Sequence, residues 1–147
     1  MMKCLLTMVA AVAGLFASTI VRADTLSVCG HSVEYKVDLP AADVPANWRG
    51  FSGVWVGNSD FGMCLGLIVE SIKSDGTAKV LRINGPFGGG MPVVPRAYRF
   101  DAKLEGAKLW MTPPGFQFTY VLRSPAELAV TASGAQSTYT GALKKQQ

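Results

Sequence analysis

The amino-acid sequence predicts an all-β domain: a single antiparallel meander of about eight short strands, closed as a small barrel or folded as a sandwich. In short segments apolar and polar residues alternate at every second position, and turn residues separate these segments at intervals of about 8–12 residues. No segment shows the apolar spacing of a convincing amphipathic helix. Together these observations favour strands that pair with their neighbours in the chain.

The segment 48–72 is the centre of this pattern. It predicts two antiparallel strands joined by a polar, glycine-bearing loop at residues 57–62. In the first strand Phe51 and Trp55 share a face with Gly53 and Gly57, which indicates the close approach of another backbone. The second strand, residues 64–69, is apolar at nearly every position and is therefore predicted to be covered on both faces.

Turn signals delimit the remaining strands. Asp75-Gly76 predicts a tight hairpin, because Asp-Gly readily adopts positive φ angles. The return strand loses its alternation at Val80-Leu81, which is typical of a bulge. Residues 84–95, rich in proline and glycine, form the one long irregular segment. The predicted strands are 33–39, 51–57, 64–69, 77–84, 98–104, 109–111, 116–123, 128–132 and 139–143.

The first 23 residues have the features of a signal peptide. Lys3 precedes an uncharged apolar stretch from residue 5 to 21, and Val21-Arg22-Ala23 fits a signal-peptidase site. An uncleaved membrane anchor is the alternative, although the stretch is short for a span. Cleavage leaves one domain, residues 24–147, without a membrane span, which we expect to be secreted or periplasmic. Loss of the leader reduces fourteen basic residues to twelve against ten acidic ones, a net charge of +2 with no basic face for nucleic acid.

The cysteines predict a disulfide. Cys4 leaves with the leader, and Cys29 and Cys64 remain in an exported chain, where two cysteines usually pair. Closing a loop of about 35 residues would contribute about 3 kcal/mol. His31 is the only histidine, so a zinc site with three or four ligands is not expected, and no cofactor is predicted.

The sequence contains no recognisable catalytic motif, so no catalytic residue is assigned. There is no G-x-S-x-G, and the glycine-rich segment 85–90 is not followed by the helix that a phosphate site needs. The alternative is a secreted hydrolase of unrecognised type that uses Asp60 or Glu70 with Ser59.

Aromatic residues are the remaining candidates for function. Most such residues form core, but in a small barrel they can also line a pocket. We expect a rim in the glycine-rich loop over an aromatic interior, which would bind a small apolar or amphipathic molecule or an envelope component. A structural or inhibitory partner of an envelope protein is a further alternative, and it would present an exposed apolar patch. The candidate ligand-binding residues are Trp55, Phe87, Met91, Trp110 and Phe118.

Two resemblances follow from these motifs. Gly53-Val54-Trp55 resembles the G-x-W of lipocalins and other calycins, which implies a calycin-like barrel. Residues 29–143 are similar to a small secreted bacterial β-module that is also found appended to hydrolase-like or caspase-like domains. The similarity rests on G-x-W-x-G at 53–57, C-x-x-x-x-V-E at 64–70, Asp75-Gly76, the glycine-rich loop and T-Y-x-L at 119–122. No activity is assigned to that module, so the resemblance implies a fold and a compartment.

Overall fold

The structure is a computed structural model, and it describes residues 23–85 and 96–147. These residues form ten strands and one short helix, so the predicted all-β class is confirmed. The elements are β1 (Asp24–Val28), β2 (His31–Tyr35), α1 (Ala46–Arg49), β3 (Gly53–Ser59), β4 (Cys64–Ile72), β5 (Thr77–Asn84), β6 (Arg96–Glu105), β7 (Lys108–Met111), β8 (Phe116–Ser124), β9 (Glu127–Gly134) and β10 (Thr138–Lys145).

Strands β3 to β10 form a closed antiparallel barrel, which decides between the barrel and the sandwich. Each strand pairs with its neighbour in the chain, and β10 returns to pair with β3, with Gly141 opposite Ser59 and Lys145 opposite Trp55. Gly57 allows this closure, because a Cβ at that position would lie only 1.9 Å from the carbonyl oxygen of Ala142. The predicted close approach of another backbone is therefore confirmed at Gly57.

One end of the barrel is filled, and we call it the closed end. Here β3 begins after α1, and the core contains Trp55, Phe51 and Val44, each almost completely buried. The indole Nε1 of Trp55 donates a hydrogen bond of 2.8 Å to the carbonyl oxygen of Phe51. Lys145 lies with its Nζ 5.0 Å from the centroid of the Trp55 ring, and burial lowers the pKa of this amine. The buried tryptophan and its hydrogen bond thus tie the chain before β3 to the barrel core.

The β1–β2 hairpin packs on the outer face of the barrel rather than joining it. Val28 and Val33 form a second apolar cluster with Ile68 of β4 and with Leu81 and Ile83 of β5. Both faces of β4 and β5 are therefore buried, as predicted for β4. The same packing explains the apparent break at Val80-Leu81, since one residue faces the interior and the other faces the hairpin.

The bulge predicted in β5 is wrong, because the irregularity lies in β4. The register of β4 and β5 shifts between Val69 and Ser71, so that β4 carries the additional residue. The shift falls near the end of β4, and it lets this strand bend toward the closed end while β5 remains regular.

The predicted disulfide is confirmed. Cys29, at the turn of the hairpin, is bonded to Cys64 at the start of β4, and their Cα atoms are 5.5 Å apart. Gly85 packs against this bridge, because a Cβ there would lie 2.6 Å from the Cβ of Cys29. The disulfide therefore fixes the outer hairpin next to the barrel end at which β5 finishes. The predicted leader, apart from Ala23, lies outside the described residues, and within them no helix has the length and apolar character of a membrane span.

Candidate ligand-binding site

A cavity of about 440 Å3 lies at the end of the barrel opposite Trp55, which we call the open end. At this end β3, β5, β7 and β9 finish, and β4, β6, β8 and β10 begin. We define the open-end cavity by its aromatic wall and by two polar side chains of β5, Arg82 and Asn84. Met63, Ser137 and Thr138 complete the lining.

Four aromatic rings form the wall of the open-end cavity: Phe61, Phe116, Phe118 and Tyr139. The rings of Phe116 and Phe118 are stacked with centroids 5.9 Å apart, and Phe61 meets Tyr139 edge-on at 5.3 Å. The alternation of β8 produces part of this wall, because every second residue of a strand faces the same side. The result is a concave apolar surface that suits a flat or aliphatic group.

The interior face of β5 changes from apolar to polar as the strand approaches the open end. Ala78 and Val80 belong to the barrel core, and the next residue on that face is Arg82, which is only 7% exposed. Its Nη2 donates a hydrogen bond of 2.9 Å to the hydroxyl of Tyr139. Its guanidinium carbon lies 3.9 Å from the centroid of the Phe118 ring, a cation–π contact. A buried cation thus lies in the wall of the cavity.

No carboxylate neutralises Arg82. All ten aspartate and glutamate residues of the chain fall within residues 23–85 and 96–147, and none of them forms an ion pair with this guanidinium. Its polar neighbours are the neutral hydroxyls of two tyrosines, Tyr139 and Tyr120. A buried charge without a counter-ion is costly, so this arrangement calls for an explanation beyond packing.

The two tyrosines beside Arg82 remain neutral over the physiological pH range. Burial raises the pKa of Tyr120 to about 12, and the charge of Arg82 and its hydrogen bond act in the opposite direction. Burial also raises the pKa of Tyr139, against the same influence of Arg82. Neither phenol therefore supplies the negative charge that Arg82 lacks.

Asn84 is the second polar group of the open-end cavity. Its side-chain oxygen Oδ1 is buried and has no hydrogen-bond partner among the described residues. An unpaired buried acceptor is unfavourable, because it has lost its contact with water without replacement. Two consecutive interior-facing positions of β5 therefore carry polar groups, one a cation without a counter-ion and the other with a buried acceptor that has no partner.

The structure brings one of the residues predicted for ligand binding into this cavity. Phe118 lies in the wall, whereas Trp55 belongs to the interior of the closed end. Trp110 lies on the outer face of β7, between the buried Leu109 and Met111, which face the core. Phe87 and Met91, the predicted rim residues, lie outside the described residues.

The three residues considered for hydrolysis, Ser59, Asp60 and Glu70, each contact a different partner. Ser59 is buried, and its hydroxyl accepts a hydrogen bond from the backbone N–H of Met63. Asp60 contacts Thr140, and Glu70 forms a bidentate ion pair with Arg99 at 3.0 Å. Within residues 23–85 and 96–147, no cluster of three or more histidine, cysteine, aspartate or glutamate side chains could hold a metal ion.

Sequence reasoning missed Arg82, Asn84 and Tyr139. For Arg82 and Asn84 the available signal was their position in β5. Residues 78, 80, 82 and 84 share one face of this strand, so assigning Ala78 and Val80 to the core places Arg82 and Asn84 on the same face. That assignment was ambiguous, since Leu81 and Ile83 make the opposite face equally apolar.

Among the described residues, the fold and the cavity define a small antiparallel β-barrel with one filled end and one open end. Among solved structures, the chain is similar to a redesigned β-barrel, with 16% sequence identity and a TM-score of 0.54, over 73% of this chain and 100% of that one. It is also similar to a de novo designed fluorescence-activating β-barrel, with 18% identity and a TM-score of 0.45, over 67% and 95% of the two chains. The first similarity shows the fold alone. No protein-family model and no curated protein matches the chain, so both resemblances drawn from the motifs remain predictions.

Proposed function

We propose that this protein is an exported, non-catalytic binding protein that takes a small apolar or amphipathic molecule into its open-end cavity. The observation that carries the proposal is the aromatic wall around a cavity of about 440 Å3 in a barrel whose other end is filled. Protein sites for small molecules are typically concave, largely apolar and about 300–1,000 Å3 in volume. An eight-stranded barrel is wide enough to hold one small ligand in this way.

The distribution of apolar side chains supports entry from the open end. Phe61 is 45% exposed and Phe116 is 36% exposed, whereas Phe118 beneath them is only 3% exposed. Exposed aromatic rings next to a buried aromatic wall favour ligand binding, because a bound ligand removes their apolar surface from water. A ligand of two fused or linked rings could contact the rim and the wall together.

The proposed compartment is supported by the disulfide. Such bonds persist in oxidising environments and are rare in the cytosol of mesophiles. The Cys29–Cys64 bond and the predicted signal peptide therefore favour the same location, the periplasm or the extracellular medium.

Titration with the neutral dye N-phenyl-1-naphthylamine tests the binding function, because its emission rises on transfer from water to an apolar site. We expect saturable binding to the wild-type protein. Phe116→Ala should weaken binding about 3- to 10-fold, the contribution of one aromatic contact. Trp110→Ala is the matched control, since it removes an aromatic side chain from the outer face and should leave binding unchanged.

Native mass spectrometry of protein purified from its own compartment provides an independent measurement, as a natural ligand would add a discrete mass. Absence of saturable dye binding to the folded wild-type protein contradicts the proposal. An equal loss of affinity in Phe116→Ala and Trp110→Ala contradicts the assignment to the open-end cavity.

A further inference from the structure

The open-end cavity contains the positive charge of Arg82 without a counter-ion, and this charge indicates which class of ligand the cavity can bind. A guanidinium has five N–H donors; the hydroxyl of Tyr139 accepts from one of them at 2.9 Å, and Tyr120 is a second hydrogen-bond partner. The guanidinium carbon lies 3.9 Å from the centroid of the Phe118 ring, so the cation also contacts an aromatic side chain. The partners of Arg82 are therefore neutral groups, and they do not use all five of its N–H donors.

The chain itself has no counter-ion for this site. Each of its ten carboxylates lies in the described residues, and those that form ion pairs do so elsewhere. Asp60, the acidic group that acts on the pKa of Tyr139, contacts the backbone N–H and the hydroxyl of Thr140. The ten residues between β5 and β6 that lie outside the described part contain no aspartate or glutamate. No aspartate or glutamate of the chain therefore serves as a counter-ion for Arg82.

Neighbouring groups at the open end are compatible with an anion. Arg96, the first residue of β6, pairs in register with Asn84 and donates a hydrogen bond of 3.4 Å to the Tyr98 hydroxyl. A second positive charge thus lies on the strand next to Asn84, although Arg96 does not itself line the cavity. The side-chain amide of Asn84 adds donors and an acceptor to the same wall, for a hydroxyl or N–H beside the acidic group.

We propose that the ligand is a small apolar acid whose carboxylate, or an oxyanion of similar size, pairs with Arg82 while its apolar body lies against the aromatic wall. This inference rests on the proposed function and specifies its ligand class. Guanidinium and carboxylate match in geometry, and charge-assisted hydrogen bonds are the stronger ones. A neutral apolar molecule would leave the buried cation without a partner, so the site should prefer the acid.

Two dyes with the same ring skeleton test the preference. 1-Anilinonaphthalene-8-sulfonate carries an anionic group that the neutral N-phenyl-1-naphthylamine lacks. The quantity to measure is the ratio of their two dissociation constants, in the wild-type protein and in Arg82→Met, which retains an apolar stem without the charge. We expect the preference for the anionic dye to fall about 10- to 100-fold in Arg82→Met. Arg82→Lys should retain part of it, because the charge remains.

Arg99→Met is the matched control, since Arg99 is an exposed cation on the outer face that already pairs with Glu70. This substitution should leave the ratio unchanged. A ratio that is the same in the wild-type protein and in Arg82→Met overturns the inference, as does an equal fall in Arg99→Met.

A wild-type experiment keeps the inference testable even if the Arg82 variants do not fold. Octanoate and octanol share an eight-carbon chain and differ in charge, and each is used to displace the neutral dye. We expect octanoate to displace it at about tenfold lower concentration than octanol. Equal displacement overturns the ligand class but leaves the binding function standing, whereas failure of the neutral dye to bind contradicts the binding function itself.

Discussion

The closed end of the barrel depends on Trp55, and replacing it tests how much of the stability is concentrated there. Trp55 is completely buried, and its indole N–H satisfies the carbonyl of Phe51 at 2.8 Å. Truncating a buried tryptophan to alanine typically costs about 3–5 kcal/mol, and an orphaned buried carbonyl adds about 1–3 kcal/mol. We therefore expect Trp55→Ala to lose about 4–8 kcal/mol, a large part of the 5–15 kcal/mol typical of a domain.

Trp55→Phe separates the two contributions. It keeps an aromatic ring but removes the hydrogen bond and some volume, so we expect a loss of about 1–3 kcal/mol. Trp110→Ala is the control, since this tryptophan lies on the outer face and its removal should cost about 1 kcal/mol. Urea unfolding followed by far-ultraviolet circular dichroism gives the free energies without relying on tryptophan emission. The reasoning is refuted if Trp55→Ala costs no more than Trp110→Ala.

Three further predictions concern other parts of the molecule. Opening the Cys29–Cys64 bond, by reduction or by Cys64→Ala, should lower the free energy of unfolding by about 3 kcal/mol, since the bond joins residues 35 positions apart. Calorimetry with and without reductant measures this loss, and an unchanged melting temperature would contradict it. Because burial raises the pKa of folded Tyr120 to about 12, against about 10 when unfolded, its contribution to stability is complete below about pH 10 and is lost as the pH rises toward 12. Tyr120→Phe should flatten this decline in urea midpoints, and an equally steep decline in the variant would exclude Tyr120 as its source. The mature protein should begin at Asp24 or within a residue or two of it, and an intact mass of all 147 residues in a membrane fraction would instead indicate an anchor.

The disulfide lies next to the open-end cavity, so its reduction should affect ligand binding. The bond joins the outer hairpin to the start of β4, and Met63 in the cavity lining directly precedes Cys64. Reduction should therefore loosen one side of the open-end cavity before it affects the closed end. Dye affinity measured in reductant, under conditions in which the barrel remains folded, tests this coupling.

The all-β class and most strand positions could be predicted from the sequence, because both depend on local chemistry. Alternation at every second residue and the turn at Asp75-Gly76 are properties of short segments. The disulfide was also predictable, since only two cysteines remain outside the predicted leader. Likewise, the glycine at position 57 indicated the close backbone approach that closure of the barrel requires.

The site was decided by tertiary structure, because pairings across long separations determine which face of a strand is inside. Leu109, Trp110 and Met111 are all apolar, so their sequence does not say that the tryptophan faces outward. In β5 both faces are apolar, because the outer hairpin covers the face opposite the interior. The sequence therefore does not show that Arg82 lies on the interior face. Closure through β3 and β10 then brings Tyr139 to within 2.9 Å of an arginine 57 residues away. Local patterns encode which residues alternate, but only the closed barrel places one side of that alternation in the interior, where it forms the open-end cavity with its buried charge.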